Sequence, residues 1–429
     1  QKRFERIAEH LSELEGLKHV FLIDCTPADV GLEGNPKVHT FDELTGSPTA
    51  TFVEQEIEED DYAVIFYTSG TTGKPKGAIS THRSMIANLQ NTMYNAVAGS
   101  MTGGGALPDG GGQNVSLFTS PLFHVSGCHS TLVVGLLAGL KLVMPEGRFQ
   151  PETALQLIQD HKVTVWATVP TMVWRVCEHP DRHDYDTSSV RSVAFGGSPS
   201  ADELQRMIRE TFPNVTSTSN AYGLTETSSV ATVVSGEDAI RKPTSVGPPV
   251  PTVQVKIVDA EDNTLGVGET GEVCITGPIL MAGYWNKPEA TAEAIRDGWL
   301  HTGDVGHLDD EGFLFITDRK KDMIIRGGEN IYCVEIEQRL VTHEEIADAA
   351  IIGVPHPELG EEVKAVVQLE EGSQLNEAGV RQWVADGLAA FKVPTYVDLT
   401  FDKLPRNASG KLLKNVLRGE GEVSFAETM

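Results

Sequence analysis

Between about residues 20 and 230, short apolar runs with strand character alternate with stretches of helical period. The runs fall at 20–23, 62–67, 115–119, 141–144, 163–169, 190–195 and 217–221, with helical patterns at 153–160 and 201–210. This alternation predicts an α/β layered fold with a largely parallel sheet. In such folds ligands bind at the loops that follow the strands. From about 245 to 318 glycine and proline become frequent and the strand-like runs shorten, at 253–258, 271–276 and 313–317. That texture predicts a small β-rich unit, a distorted barrel.

After Asp318 the pattern changes again, with strands expected at 323–325, 349–354, 364–369 and 396–399 and helices at 334–341 and 377–390. This is a compact α+β unit. The charged run Asp318-Arg319-Lys320-Lys321-Asp322 lies between two apolar strands and reads as a hinge. The expected organisation is therefore a body over 1–318, β-rich from about 245, and a mobile C-terminal lid over 319–429 hinged at about Lys321. The glycine-rich stretch 103–112 reads as a surface loop without a single conformation. The apolar run 132–140 falls short of the ~18 residues a membrane helix needs and is expected to be a buried helix or strand pair.

Lysine plus arginine number 34 and aspartate plus glutamate 61, so the net charge is −27. Nucleic acid and anionic membrane need a basic surface, which argues against both as general partners. Small anionic ligands respond to local charge and stay possible. The five cysteines are scattered without a Cys-x-x-Cys pair, which suits a reducing cytoplasm and argues against a disulfide framework or a zinc ribbon.

The sharpest chemical signal is Tyr67-Thr68-Ser69-Gly70-Thr71-Thr72-Gly73-Lys74-Pro75-Lys76-Gly77, directly after an apolar strand. Glycines let backbone amides converge on an anion because no side chain blocks the approach. Thr68, Ser69, Thr71 and Thr72 add hydroxyl donors, and Lys74 and Lys76 add charge. These are the groups that polyphosphate binding requires. The pattern is not a Walker A loop, because Pro75 follows Lys74 and disfavours the helix that such a loop opens.

This loop resembles the phosphate loop of the adenylate-forming superfamily, which includes acyl-CoA synthetases, firefly luciferase and peptide synthetase adenylation domains. Further motifs follow in the family's order. Asn220-Ala221-Tyr222-Gly223-Leu224-Thr225-Glu226-Thr227 resembles the second signature. The resemblance implies Tyr222 on adenine, Thr225 at the α-phosphate and Glu226 on Mg²⁺; an aromatic face, a hydroxyl and a hard carboxylate oxygen suit those tasks. Gly196-Gly197-Ser198-Pro199 matches the segment lining the other adenine face. Asp304, in Leu300-His301-Thr302-Gly303-Asp304, and Arg319 match the ribose contacts, and Lys321 matches the hinge. Gly327-Gly328-Glu329 matches the region that meets pantetheine. Lys411, in Pro405-Arg406-Asn407-Ala408-Ser409-Gly410-Lys411, matches the lysine of adenylation. The matching stretch runs from about 60 to 420. The chain opens without methionine, and the family's first α/β subdomain is expected to be largely missing.

The resemblance implies a two-step acid–thiol ligase that uses ATP, Mg²⁺ and CoA. A carboxylate attacks the α-phosphorus to give acyl-AMP and pyrophosphate, and a thiol then displaces AMP. Lys74, Lys76, Arg319, Lys320, Lys321, Arg326 and Lys411 are expected to supply local positive charge. Pro121-Leu122-Phe123-His124 resembles the aromatic–histidine motif of acyl-CoA synthetases, which places His124 near the acid. The aspartate that pairs with a substrate amine in peptide synthetases is not found, so an acid without an amine is favoured. A fatty acid is the expected substrate. An aryl or arylpropenoate acid, or transfer to a carrier protein, are the alternatives. A cytoplasmic place follows from the composition, and a homodimer is a habit of the family.

Overall fold

Strand and helix do alternate as expected through the middle of the chain. They build a six-stranded sheet in the order Ser229–Ser235, Ser217–Leu224, Ser192–Gly196, Val165–Thr168, Val115–Phe118, Lys141–Val143. Every neighbouring pair is parallel except the first, which is antiparallel. The computed structural model describes residues 4–45, 54–68, 75–101, 112–196, 202–406 and 412–419. It divides into two compact units, Gln1–Ile57 and Glu58–Met429. No helix among the described residues is long and apolar enough to cross a membrane.

The first unit is small. Val20–Leu22 pairs in parallel with Val38–Thr40, and Phe4, Leu11, Leu22 and Val38 form its core.

In the second unit, the helix Pro151–His161 starts with proline in its first turn, where the missing amide costs nothing. It buries Ala154, Leu155 and Ile158, one stripe at helical spacing, and ends at Lys162 in a left-handed conformation. Asp202–Thr211 presents Leu204 and Ile208 to the same core. Trp166 lies at the centre, fully buried, with the ring of Phe212 edge-on at 6.4 Å. Each such side chain contributes about 1.5–3 kcal/mol by leaving water.

Three elements differ from the expectation. The strand Tyr62–Thr68 is not part of the parallel sheet. It forms an antiparallel hairpin with Lys76–Thr81, extended by Gly283–Tyr284. The helix expected over 377–390 ends at Ala385, and Gly387 then sits where a Cβ would lie 2.6 Å from Arg339 Nε. The run 132–140 forms a helical turn over Val134–Leu137 with Leu136 and Leu137 exposed, because its preceding turn faces the interior instead. Of the glycine-rich stretch 103–112, residues 103–111 lie outside the described residues.

The β-rich stretch is antiparallel. Trp299–Leu308 pairs with Gly271–Thr276, Ile295–Arg296 and Leu314–Arg319. Beyond it, Ile324–Arg326 and Glu329–Ile331 form a hairpin joined to Gly360–Leu369, which pairs with Ile346–His356 and Tyr396–Thr400. The helices Cys333–Val341 and Glu377–Ala385 cover this sheet through Ile336, Leu340, Val380 and Val384.

Where these sheets meet, the Asp318 carboxylate accepts hydrogen bonds from the backbone amides of Arg319 (2.7 Å) and Cys333. Burial pushes the Asp318 carboxyl up to about 6, outweighing the attraction of Lys414 and those two amides. A raised folded-state pKa means the ionised form is disfavoured in the fold. The contribution is present below the ordinary carboxylate pKa of about 4. It is lost as pH rises through about 6. The expected loss is roughly 2–3 kcal/mol. Urea midpoints from pH 4 to 7 check it: wild type should lose stability relative to Asp318→Asn as pH rises, and parallel profiles would refute it.

Candidate functional site

The hairpin Tyr62–Thr68 and Lys76–Thr81 holds the ends of the glycine–hydroxyl loop. Thr68 stands opposite Lys76 in register, and its Oγ1 donates to the Lys76 carbonyl at 3.4 Å. Ser69, Gly70, Thr71, Thr72, Gly73 and Lys74 lie outside the described residues. Their loop thus joins antiparallel strands, and no helix opens behind it. Gly77 is needed here because a Cβ would lie 2.7 Å from Ile65 Cγ2.

Lys76 Nζ sits 4.7 Å from the centre of the Tyr284 ring. The Tyr284 hydroxyl in turn donates to Glu226 Oε1 at 2.7 Å. The base of the loop and the acidic residue of the second motif are thereby linked through one aromatic ring. Burial and the adjacent Glu226 charge hold the Tyr284 phenol well above its ordinary range, so it stays a donor. Sequence reasoning missed Tyr284. Its neighbours Gly283 and Trp285 offer no local sign of a carboxylate 58 positions away.

Glu226 lies on the tight turn Thr225–Thr227, which follows the strand Ser217–Leu224. The chain then passes through two non-glycine residues with positive φ, Ser228 at 50° and Ser229 at 131°. Gly223 faces this turn at very close range: a Cβ there would lie 1.7 Å from the Ser229 carbonyl oxygen. Thr227 Oγ1 donates at 2.8 Å to that same oxygen. A carboxylate one aromatic ring away from Lys76 has the hard oxygen donors that suit Mg²⁺, which is usually held by one or two carboxylates and substrate phosphates.

On the preceding strand, Tyr222 points its hydroxyl to Asp304 Oδ2 at 2.7 Å. Loss of water and then the Asp304 charge raise this phenol well above its ordinary range. Asp304 stands directly across the strand pair from Arg319, with Arg319 Nε 3.3 Å from Asp304 Oδ1. The adenine and ribose candidates thus converge on one nearly buried carboxylate. Asn220 is buried and donates to the Ser245 carbonyl at 3.2 Å. Gly197, Ser198 and Pro199 lie outside the described residues.

The remaining candidates are spread more widely. His124 caps the short helical turn Val125–Gly127, accepting from the Ser126 amide at 3.2 Å. Gly327 (φ 60°) and Gly328 (φ 91°) form the two-residue turn between Ile324–Arg326 and Glu329–Ile331. Two consecutive positive φ values require such residues, so both glycines have a structural reason as well. Lys321 lies between Leu314–Arg319 and Ile324–Arg326. Lys411 lies outside the described residues. Its flanks are tied together by the bridge between Arg406 and Leu412 and by Leu413 N donating to Pro405 O at 2.9 Å.

The expected positive charge is partly neutralised. Arg319 pairs with Asp304, Lys320 with Glu272 (3.1 Å) and Arg326 with Glu362 (2.6 Å). Glu272 also accepts from the Gly303 amide at 3.1 Å, which braces the strand just before Asp304.

Residues 1–285 match the model of the AMP-binding enzyme family, and 335–411 match the AMP-binding enzyme C-terminal domain. A feruloyl-CoA synthase of Amycolatopsis sp is 36% identical over 360 residues, 84% of this chain and 70% of that protein. A long-chain-fatty-acid–CoA ligase of Bacillus subtilis (strain 168) is 35% identical over 401 residues, 91% of this chain and 68% of that protein. Among solved structures, the o-succinylbenzoate CoA synthetase of Bacillus subtilis, in complex with its acyl-adenylate intermediate, superposes with a TM-score of 0.79. It is 31% identical and covers 96% of this chain and 80% of its own.

Proposed function

Since this chain belongs to the AMP-binding enzyme family, we propose that the residues just described divide one nucleotide between them. The chain is an adenylate-forming acyl-CoA ligase that uses ATP and CoA. Tyr222 and Asp304 take the nucleoside, with Arg319 at the ribose. Thr225 meets the α-phosphate, and Ser69–Lys74 with Thr68 and Lys76 hold the outer phosphates. Glu226 is the protein ligand for Mg²⁺, which when bound neutralises phosphate charge. The observation that carries this reading is the pair of tethers four residues apart, Tyr222 to Asp304 and Glu226 to Tyr284, with Lys76 behind the second.

In the first half-reaction a carboxylate oxygen of the acid bonds to the α-phosphorus, and the bond from that phosphorus to the bridging oxygen breaks. Pyrophosphate leaves with the electron pair. Two anions must meet, so charge neutralisation and alignment supply most of the rate. Lys411 bridges the acid and the α-phosphate, and His124 lies at the acid. In the second half-reaction a CoA sulfur bonds to the acyl carbon and AMP departs. The body over 1–318 and a lid over 319–429 turn at Lys321, which withdraws Lys411 and brings Gly327, Gly328 and Glu329 to the thiol.

A fatty acid is the first choice of substrate. An arylpropenoate acid is the second, favoured by the likeness to a feruloyl-CoA synthase. Acyl-AMP formation for a carrier protein would instead give adenylate without acyl-CoA. Pyrophosphate release across a panel of fatty and aryl acids, with and without CoA, separates these; no release with any acid would sink the reading. A cytoplasmic place and a homodimer belong to the same reading.

Lys321→Pro locks φ near −65° at the hinge. It is expected to slow passage from adenylate to thioester at least tenfold while adenylate formation changes little. Rapid-quench measurement of both steps tests this, and wild-type rates in both would remove the hinge.

A further inference from the structure

We propose that the turn Cys128–Val133 is a clamp on the Glu226 turn, with His129 and Ser130 as positioning residues for the reaction. The proposal rests on the reading of Glu226 given above.

The starting observation is backbone strain. Ser229 at φ 131° occupies a region that side-chain-bearing residues rarely adopt, and Ser228 beside it is left-handed. Such residues are strained and persist only where the surroundings over-determine them. Here the surroundings are visible. His129 Nδ1 lies 2.8 Å from the Ser228 carbonyl oxygen. A carbonyl only accepts, so Nδ1 carries the hydrogen and the ring donates. Ser130 Oγ meets Ser229 Oγ. Two consecutive residues of one turn therefore grip two consecutive residues of the other. That turn is a π-helical one, a rare wide form that is frequent at functional sites.

A second set of contacts closes the grip from behind. Ser228 Oγ lies 2.9 Å from Ser84 Oγ and 3.0 Å from Ser80 Oγ. Ser80, Ser84 and Ser228 are all fully buried, so water does not compete for these hydroxyls. Ser80 belongs to the hairpin strand Lys76–Thr81, which leads back to the phosphate loop. Gly223 stands against the Ser229 carbonyl with no room for a Cβ between them, which pinches residues 223–229 into a closed loop with Glu226 at its middle. The clamp thus ties three pieces together: the segment that begins at His124, the phosphate hairpin and the Glu226 turn.

The test compares His129→Leu, His129→Asn, Ser130→Ala and Glu226→Gln in the full chain. Amide hydrogen exchange over 220–232 is read by mass spectrometry without nucleotide, and kcat and KM are read from pyrophosphate release. Losing a buried hydrogen bond to Ser228 should speed exchange at 226–230 about tenfold or more and lower kcat by a similar factor. The KM for the acid should stay within about twofold. His129→Asn can still donate from Nδ2 and should recover most of both losses. Ser130→Ala should move both readouts the same way by less, and it carries the test if His129→Leu does not fold. Wild-type exchange and kcat in Ser130→Ala and His129→Leu overturn the clamp. So does faster exchange with unchanged kcat, or an asparagine variant no better than leucine. An unaffected Glu226→Gln would remove the reading of Glu226 itself, while an inactive Glu226→Gln beside an unaffected His129→Leu would remove the clamp alone.

Discussion

Replacing Lys411 with alanine is expected to lower acyl-adenylate formation by about 10²–10³-fold or more while leaving thioester formation from a preformed acyl-adenylate near its normal rate. The first half-reaction brings a carboxylate to a phosphate, and a lysine that touches both removes the repulsion where it is greatest. The second half-reaction breaks an already activated mixed anhydride, and its incoming group is a thiol. A cation at the α-phosphate has little further to offer there. The two halves are measured separately, by acid-dependent pyrophosphate release and by CoA consumption with supplied acyl-AMP. Equal losses in both would contradict a role confined to the first step. Wild-type rates in both would place the lysine outside the chemistry altogether.

The second large effect is expected at Gly223. Its Cβ in an alanine variant would lie 1.7 Å from the Ser229 carbonyl oxygen and 3.0 Å from Val230 Cα. Both neighbours are backbone, so no side chain can turn aside. Relief requires the two strands to part at the position that sets Thr225 and Glu226. Overpacking of this kind costs about 1–3 kcal/mol, occasionally more. Gly223→Ala should therefore lower the urea midpoint and also reduce pyrophosphate release at least tenfold under conditions where it remains folded. Gly16→Ala is the control, since nothing lies within 4 Å of its would-be Cβ. It should change neither quantity appreciably. An alanine at 223 with normal stability and rate would show that the strand pair opens freely there.

Much of the architecture was legible from local pattern. The strand expected at 271–276 is found at Gly271–Thr276, and the helix expected at 153–160 lies within Pro151–His161. These segments have the apolar spacing of their own element, so the local signal and the packed result agree. Trp299–Leu308 was not legible, and it is the central strand of its sheet. Its histidines, glycines and aspartate carry no strand pattern, and pairing on both edges decides its conformation. The hairpin of Tyr62–Thr68 and Lys76–Thr81 was misplaced for a related reason. An apolar run announces a strand, but its partner is chosen by register with a distant segment.

The site divides along the same line. The kinds of group needed to bind a nucleotide stand close together in the sequence: hydroxyls, glycines and lysines at 68–77, and an aromatic, a threonine and a glutamate at 222–226. That much is local chemistry, and the sequence by itself determined it. Which groups touch is a matter of tertiary structure. Tyr222 meets Asp304 across 82 positions, and Tyr284 joins Glu226 to Lys76. The net charge of −27 was countable from the start, yet the pairing of Arg319, Lys320 and Arg326 with buried carboxylates was not. A sum of charges contains no distances. Strand register brings those carboxylates within reach of their cations, and it exists only once the sheets have formed.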